Sequence, residues 1–450
     1  MTKSLTRSAL GGLLETGVHA LRDDDPELHA LLEAEVDRQR KVLAMVAASS
    51  VADPSVLVCE GSPLMNVTAE GYPGRRYHAG CTVVDDVERL AIERARQAFG
   101  ADFANVQAHS GSSANCVVLF SLLRPGDTIL GLELDAGGHL THGASASVSG
   151  QYFRGIGYGL GEDGRIDYDE VHRLAEEHRP RLIVCGASSY PRSIDFRRFR
   201  EIADSVDAFL LADISHVSGL VVAGVHPNPV PHAHFTTTST YKQLCGPRGG
   251  LILMGPDHEA PSPDGRGTLS GLVQRAVFPY FQGTPNLGAI AGKARALDYA
   301  MSADYREVAH RIVEGARALA SALHDRGFTL VTGGTDNHIV LADVLSSRGM
   351  TGTVAERALE QCGVIVNKNK IPGDSKTAMV TSGVRFGTNS LAVRGLGADE
   401  MVDCADLVAS VLDRVEIIDD REYRLSSATV AEVSARVEAL CDRFPLPRYG

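Results

Sequence analysis

Apolar positions in this chain follow two periods that alternate along its length. Over residues 85–99 (DDVERLAIERARQAF), Val87, Leu90, Ala91, Ala95 and Ala98 fall on one face of a helix, and Gly100 ends it. Residues 28–46 read as an earlier helix. Short unbroken apolar runs follow at 128–134 (TILGLEL), 181–185 (RLIVC), 208–214 (AFLLADI) and 250–254 (GLILM), each with the length of a buried strand. Residues 171–177 and 197–205 supply helices between them. This alternation predicts an α/β domain with a mostly parallel sheet, whose ligands gather at the carboxyl ends of its strands. From about residue 289 the pattern turns helical (289–301, then 305–326). A second alternation through 328–332, 339–343, 353–362 and 364–366 predicts a smaller C-terminal α+β domain. The chain thus reads as an N-terminal arm over 1–30, a large domain over 31–298 and a small domain over 299–450. Helices around 289–326 form the joint, and a cleft between the domains is the natural place for a small ligand.

Composition narrows the partners. With 450 residues, 44% hydrophobic and 22% charged, there is material for sizeable cores. A net charge of −12 argues against nucleic acid, because phosphate neutralisation needs clustered basic groups. No apolar run has the length a bilayer requires, so no membrane partner is expected. Residues 1–15 lack the apolar core and cleavage site of a secretory signal. The eight cysteines are scattered, with no C-x-x-C pair. Reduced thiols in a cytoplasmic protein are the expectation.

Chemistry concentrates where strands would end. The run 236–250 (TTTSTYKQLCGPRGG) brings hydroxyls, one lysine and Arg248 together. Hydroxyls and a cation suit a phosphate, and a poorly solvated Lys242 has its pKa lowered, which makes it a Schiff-base former. In 209–219 (FLLADISHVSG), Asp213 closes an apolar strand with His216 three residues on. A carboxylate there is costly unless it meets a cation, and a protonated pyridine nitrogen is one. The stretch 109–115 (HSGSSAN) offers Ser and Gly at a helix start, a weak anion-binding signal. The stretch 137–143 (GGHLTHG) puts His139 on a Gly-rich loop, where it could stack on a flat ring. His139 and His142 have no third or fourth ligand at metal-binding spacing, so no metal is expected. Arg385, in TSGVRFGTNS, has the geometry to take a carboxylate.

Taken in order, EGYPGRRYHAGC (70–81), HSGSSAN, GGHLTHG, DISHVSGLV (213–221), TTTSTYKQLCGPRGG, VNKNKIP (366–372) and TSGVRFGT (381–388) closely resemble the serine hydroxymethyltransferase family. The resemblance covers essentially the whole chain. It implies a fold-type I, aspartate aminotransferase-like enzyme with a mostly parallel seven-stranded sheet, using pyridoxal 5'-phosphate. Lys242 would carry the cofactor as a Schiff base, Asp213 would pair with its pyridine nitrogen and His139 would stack on its face. Ser110, Gly111 and Ser112 would lie nearest the phosphate. Ser188, His216 and Ser239 would line the rest, with Gly283 and Thr284 on a loop contributed by a neighbouring subunit. Arg385 would take the substrate carboxylate. Glu70, also from the neighbour, would carry a proton at the β-hydroxyl. Asn369 matches a position that helps hold the pterin of tetrahydrofolate, and a homodimer with shared sites, open to further pairing into tetramers, is implied.

The chain departs from the family on the substrate side. Ala47-Ala48-Ser49-Ser50 stands where the family has A-S-E-N, so Ala48 replaces a hydroxyl. Thr68 and His78 replace tyrosines, Tyr241 replaces a histidine, and FPYFQGTP (278–285) replaces the slimmer F-P-G-G-Q-G-G-P. Cofactor-facing positions are kept while those facing substrate are altered; Arg248 is expected on the substrate side as well. The expectation is therefore a diverged member that cleaves and forms the Cα–Cβ bond of a β-hydroxy amino acid, such as an L-threonine transaldolase or aldolase. The alternative is a true tetrahydrofolate-dependent serine hydroxymethyltransferase.

Overall fold

The computed structural model describes residues 8–449; residues 1–7 of the expected arm lie outside the described residues. Two helices come first, α1 (Ala9–Asp24) and α2 (Pro26–Lys41). Ser8 caps α1 by accepting from the Gly11 amide, and Asp25 caps α2 by accepting from Leu28 N, with Pro26 at the first helical position. The helix expected over 28–46 therefore starts earlier and stops at Lys41. Beyond it Leu43 and Met45 are wholly buried at alternate positions, a strand's period, and Leu43–Ala44 pairs in parallel with Val364–Ile365. Neither helix buries a residue, and Leu10, Leu13, Val18, Leu28, Leu31 and Leu32 are exposed.

Helix α3 (Thr82–Phe99) ends at Gly100, whose φ of +63° is the left-handed conformation that closes a helix without a Cβ penalty. Seven strands follow: β1 (Phe103–Asn105), β2 (Thr128–Leu132), β3 (Arg154–Tyr158), β4 (Leu182–Gly186), β5 (Phe209–Asp213), β6 (Phe235–Ser239) and β7 (Gly250–Met254). They form one sheet in the order β1-β7-β6-β5-β4-β2-β3. Neighbours from β6 across to β3 are parallel, while β7 runs antiparallel to both β6 and β1. Between strands lie α4 (Gly111–Leu122), α5 (Tyr168–His178) and α6 (Phe196–Ser205).

Both sheet faces are covered, and strand residues alternate between them. Ile183, Leu210 and Leu251 pack on one side with Ala91, Ala95 and Phe199, while Leu182, Leu211 and Ile252 pack on the other with Val117 and Val118. Three strands escaped the apolar pattern. The β1 segment is only three residues long, and β3 is an edge strand with exposed Arg154, Gly155 and Gly157. The third, β6, is FTTTS, wholly buried without an apolar run.

Helices α7 (Leu287–Ala300) and α8 (Ala303–Asp325) come next. Along α8, Tyr305, Ala309 and Ile312 pack into the large sheet's core, while Ala316, Leu319 and Leu323 enter a second core. That second core lies against the antiparallel sheet β8-β9-β11-β10, formed by β8 (Thr329–Leu330), β9 (Ile339–Asp343), β10 (Asn367–Asn369) and β11 (Gly383–Gly387). Leu43 and Met45 also belong to it. Helices α9 (Gly352–Gln361), α10 (Ala398–Leu412) and α11 (Ser427–Arg443) cover it. Among the described residues no helix is long and apolar enough to cross a membrane.

Candidate active site

The carboxyl ends of β2, β4, β5 and β6 open onto one small cleft, lined by Ser110, Gly111, Ser112, His139, Ala187, Ser188, Asp213, Ser215, His216, Ser239, Tyr241 and Lys242. Strand geometry explains the convergence. Asp213 and Ser239 are the last residues of adjacent parallel strands, and Ser188 lies two residues past the end of β4. Ser110 caps α4 by accepting from Ser113 N at 3.0 Å, which turns the helix start towards the cleft. Gly111 is needed for closeness. A Cβ there would sit 3.1 Å from both Ser215 Oγ and the Ser239 amide.

Asp213 is the best-supported side chain in the cleft. It accepts from Asn115 Nδ2 at 2.8 Å, from the Ser215 amide at 3.0 Å, and from His142 Nε2 at 3.2 Å. The His142 tautomer follows from its other bond: Nδ1 accepts from the His139 amide at 3.4 Å, leaving Nε2–H to donate. Burial alone would raise the carboxyl's pKa. The His142 bond, with the neighbouring imidazoles and the Ser215 amide, outweighs it and keeps the carboxyl well below the usual range. A buried anion so held is suited to a cationic ring nitrogen.

Around it stand bases and cations whose charges burial disfavours. Lys242 is 7% exposed, and burial lowers its pKa to about 8 against the pull of Asp213. His139 falls to about 4, also by burial, and its Nδ1 is tied to the Thr141 amide at 3.2 Å and hydroxyl at 2.8 Å. Burial pushes His216 well below its ordinary value, and among the described residues its Nδ1 has no hydrogen-bond partner. It stacks on His338 with ring centroids 5.7 Å apart and planes within 17°. Arg385 enters from β11 of the smaller sheet. It bonds Asn367 Oδ1 at 3.1 Å and the Ser188 carbonyl, and burial lowers it to about 10. Among the described residues neither Lys242 nor Arg385 has a carboxylate partner. A lysine, an ionised carboxylate, a helix start and an orphaned imidazole nitrogen in one cleft fit the donor and acceptor pattern of pyridoxal phosphate.

His139, His142 and Asp213 come within 4.8 Å of one another, a third ligand type that sequence spacing did not reveal. Their ligand atoms already bond Thr141, Asn115 and Ser215 or one another.

Not every expected residue reaches this cleft. Glu70, His78, Thr68, Gly283 and Thr284 form a separate patch on the same chain. His78 Nε2 lies 3.5 Å from Glu70 Oε2, the Thr284 hydroxyl accepts from the Ala69 amide at 3.1 Å, and a Cβ on Gly283 would sit 3.4 Å from Glu70 Oε1. Thr68 is exposed, with its carbonyl near Cys81 Sγ at 3.8 Å. Exposed Tyr77, Tyr280 and Phe281 lie on the same two segments. Arg248 is exposed too, its guanidinium 4.1 Å from the centroid of the Tyr241 ring. Ala48 follows Ala47, whose carbonyl accepts from His338 Nε2 at 3.2 Å and Asn389 Nδ2 at 3.0 Å. Asn369 closes β10, its amide bonded to the Lys370 carbonyl at 2.6 Å.

Sequence reasoning gave no role to Asn115, Ser215 and His338, and weighed His142 only as a metal ligand. It also gave the hydroxyls of 236–238 a phosphate role. They are instead a buried strand: Thr237 donates to Asn115 Oδ1, and only Ser239 of that strand lines the cleft.

The comparisons with known proteins agree with this geometry. A family model described as serine hydroxymethyltransferase matches residues 21–408. A serine hydroxymethyltransferase of Halorhodospira halophila is 46% identical over 426 residues, 95% of this chain and 97% of the relative. One of Chromohalobacter salexigens is 46% identical over 424 residues, 94% and 97% of the two chains. The chain therefore belongs to the serine hydroxymethyltransferase family, enzymes that use pyridoxal phosphate together with tetrahydrofolate.

Proposed function

We propose that this enzyme holds pyridoxal phosphate on Lys242 and breaks and remakes the Cα–Cβ bond of a β-hydroxy amino acid, with serine and tetrahydrofolate as its substrates. The observation that supports it best is the cleft that holds Lys242 and the ionised Asp213, with buried Arg385 bonded to the carbonyl of its lining residue Ser188 and neither cation meeting a carboxylate among the described residues. When bound, the cofactor supplies an electron sink for the carbon that loses its bond. The protein's part is positional and electrostatic. Lys242 offers an amine whose lowered pKa favours the condensing, neutral form. Asp213 would neutralise the ring nitrogen, with His139, His216, Ser188 and Ser239 holding the ring. Ser110, Gly111 and Ser112 would receive the phosphate. Arg385, already desolvated, would bind the substrate carboxylate and so orient the bonds at Cα.

In the same reading the Glu70 patch, with Gly283 and Thr284, completes the site of a second copy, where Glu70 handles the β-hydroxyl proton. Asn369 would hold the pterin. The enzyme is then a cytoplasmic homodimer, open to further pairing into tetramers, built from an arm over 1–30, a large domain over 31–298 and a small domain over 299–450.

A second reading has its own support. The substituted positions are grouped: Thr68, His78 and the 278–285 loop surround Glu70, while Tyr241 walls the cleft under Arg248. These changes suit an L-threonine transaldolase or aldolase that releases acetaldehyde and joins glycine to a larger aldehyde. Incubation with L-serine and tetrahydrofolate, and separately with L-threonine and an aldehyde panel, tests both. Rapid folate-dependent glycine formation supports the first. Folate-independent acetaldehyde with a new β-hydroxy amino acid, and no reaction of serine, would replace it with the second.

A further inference from the structure

Lys293 lies on α7 within an otherwise largely apolar segment (LGAIAGKARALDYA) and is 2% exposed. Its ammonium donates to three backbone carbonyls, Val106 at 2.6 Å, Ala108 at 3.0 Å and Gly250 at 3.0 Å. Three N–H groups thus meet three acceptors, and among the described residues no carboxylate is in contact, Glu88 acting on the charge only from a distance. Burial lowers this lysine to about 7, so its place costs more than an apolar side chain of the same length would. Packing alone does not account for it.

Its acceptors do. Val106 and Ala108 lead from β1 into Ser110–Ser112, and Gly250 opens β7 where the connection carrying Lys242 ends. The Gly250 amide donates to Ala108 O at 2.9 Å, and the Thr240 amide to Gly249 O at 3.1 Å. The fit leaves no slack. A Cβ on Gly249 would lie 2.3 Å from Lys293 Cε, and one on Gly250 would lie 2.3 Å from Ser110 O. One ammonium therefore joins the two loops that carry the anion-facing helix start and the reactive amine.

We propose that Lys293 is a positioning residue that pre-forms the cofactor cradle by locking the Ser110–Ser112 turn to the Lys242 connection. This rests on the cofactor reading above. Lys293 is not among the residues that line the cleft, and its bonds are to backbone carbonyls.

Titration of wild-type apoprotein and Lys293→Met with pyridoxal phosphate, beside thermal unfolding of both apoproteins, tests it. The expected result is a dissociation constant raised at least about tenfold, the scale of lost charge-assisted hydrogen bonds, alongside any fall in the unfolding midpoint as three carbonyls lose their donor. A merely structural lysine would lower the midpoint and leave the dissociation constant alone, and that outcome overturns the proposal. Failure of wild type itself to take up the cofactor would overturn the functional reading instead. Should Lys293→Met not fold, hydrogen exchange on wild type decides. Amides of Thr240 and Gly250 equally protected with and without cofactor support a pre-formed cradle, and their loss of protection in the apoprotein refutes it.

Discussion

Lys242 shows how far a residue's chemistry can depart from its behaviour in water. Desolvation sets its amine near pH 8, within reach of the working range, although Asp213 pulls the other way. The neutral amine condenses with an aldehyde, and its fraction grows as pH rises through that value. Capture of pyridoxal phosphate by apoprotein is therefore expected to accelerate from about pH 7 to about pH 9, where an exposed lysine of ordinary pKa would still be mostly protonated. Stopped-flow absorbance measures this, and a rate that only begins to climb near pH 10 would contradict it. Lys242, Asp213, His139 and Arg385 drew notice in the sequence as polar groups where strands would end or beside glycines, but each signal was weak alone and their expected roles came from the ordered resemblance to the family. The roles of Asn115, His142 and Lys293 were not legible. Asn115 and Lys293 are polar groups in apolar helices and His142 follows another histidine in a glycine-rich turn, so the purpose of each appears only with the distant atom it bonds, 98 residues away for Asn115 and Asp213.

Elements were legible in proportion to their burial on both faces. The strands β2, β4, β5 and β7 are apolar runs, and the amphipathic α3 declared itself by period. The edge strand β3 lacked a second packed neighbour to demand side chains, and β6 spends buried positions on threonines. The start of α4 is where element packing meets ligand binding. It abuts the ends of β5 and β6 so closely that Gly111→Ala must displace the Ser239 amide or the Ser215 hydroxyl by tenths of an ångström. The backbone of a central strand has little room to yield. Gly111→Ala is expected to weaken cofactor binding by roughly tenfold while leaving helix content unchanged, since alanine is the better helix former. Equilibrium dialysis beside circular dichroism checks both halves, and undiminished affinity would show that the turn gives way.

At the scale of the whole molecule, one chain carries two groups of candidate residues. Lys242 and Asp213 line the cleft and Arg385 bonds the carbonyl of Ser188 at its wall, whereas Glu70, His78, Gly283 and Thr284 sit together outside that lining, on segments with exposed Tyr77, Tyr280 and Phe281. If the second set serves a neighbour, Lys242→Ala and Glu70→Gln subunits mixed under exchanging conditions form dimers with one intact site. Random pairing predicts recovery of about a quarter of wild-type activity from two inactive preparations. No recovery after verified subunit exchange would refute sharing.

The reversal of β7 bears on turnover as well as topology. Because β7 returns antiparallel beside β6, the 240–249 segment is a bridge anchored at both feet in the same rigid sheet. A lysine slung from such a bridge can let go of one partner and take up another by rotating its own side-chain bonds, while the main chain stays still. Exchange at that nitrogen then needs no domain swing, and a protein locked in a crystal lattice or fixed to a solid support would keep that step of its cycle.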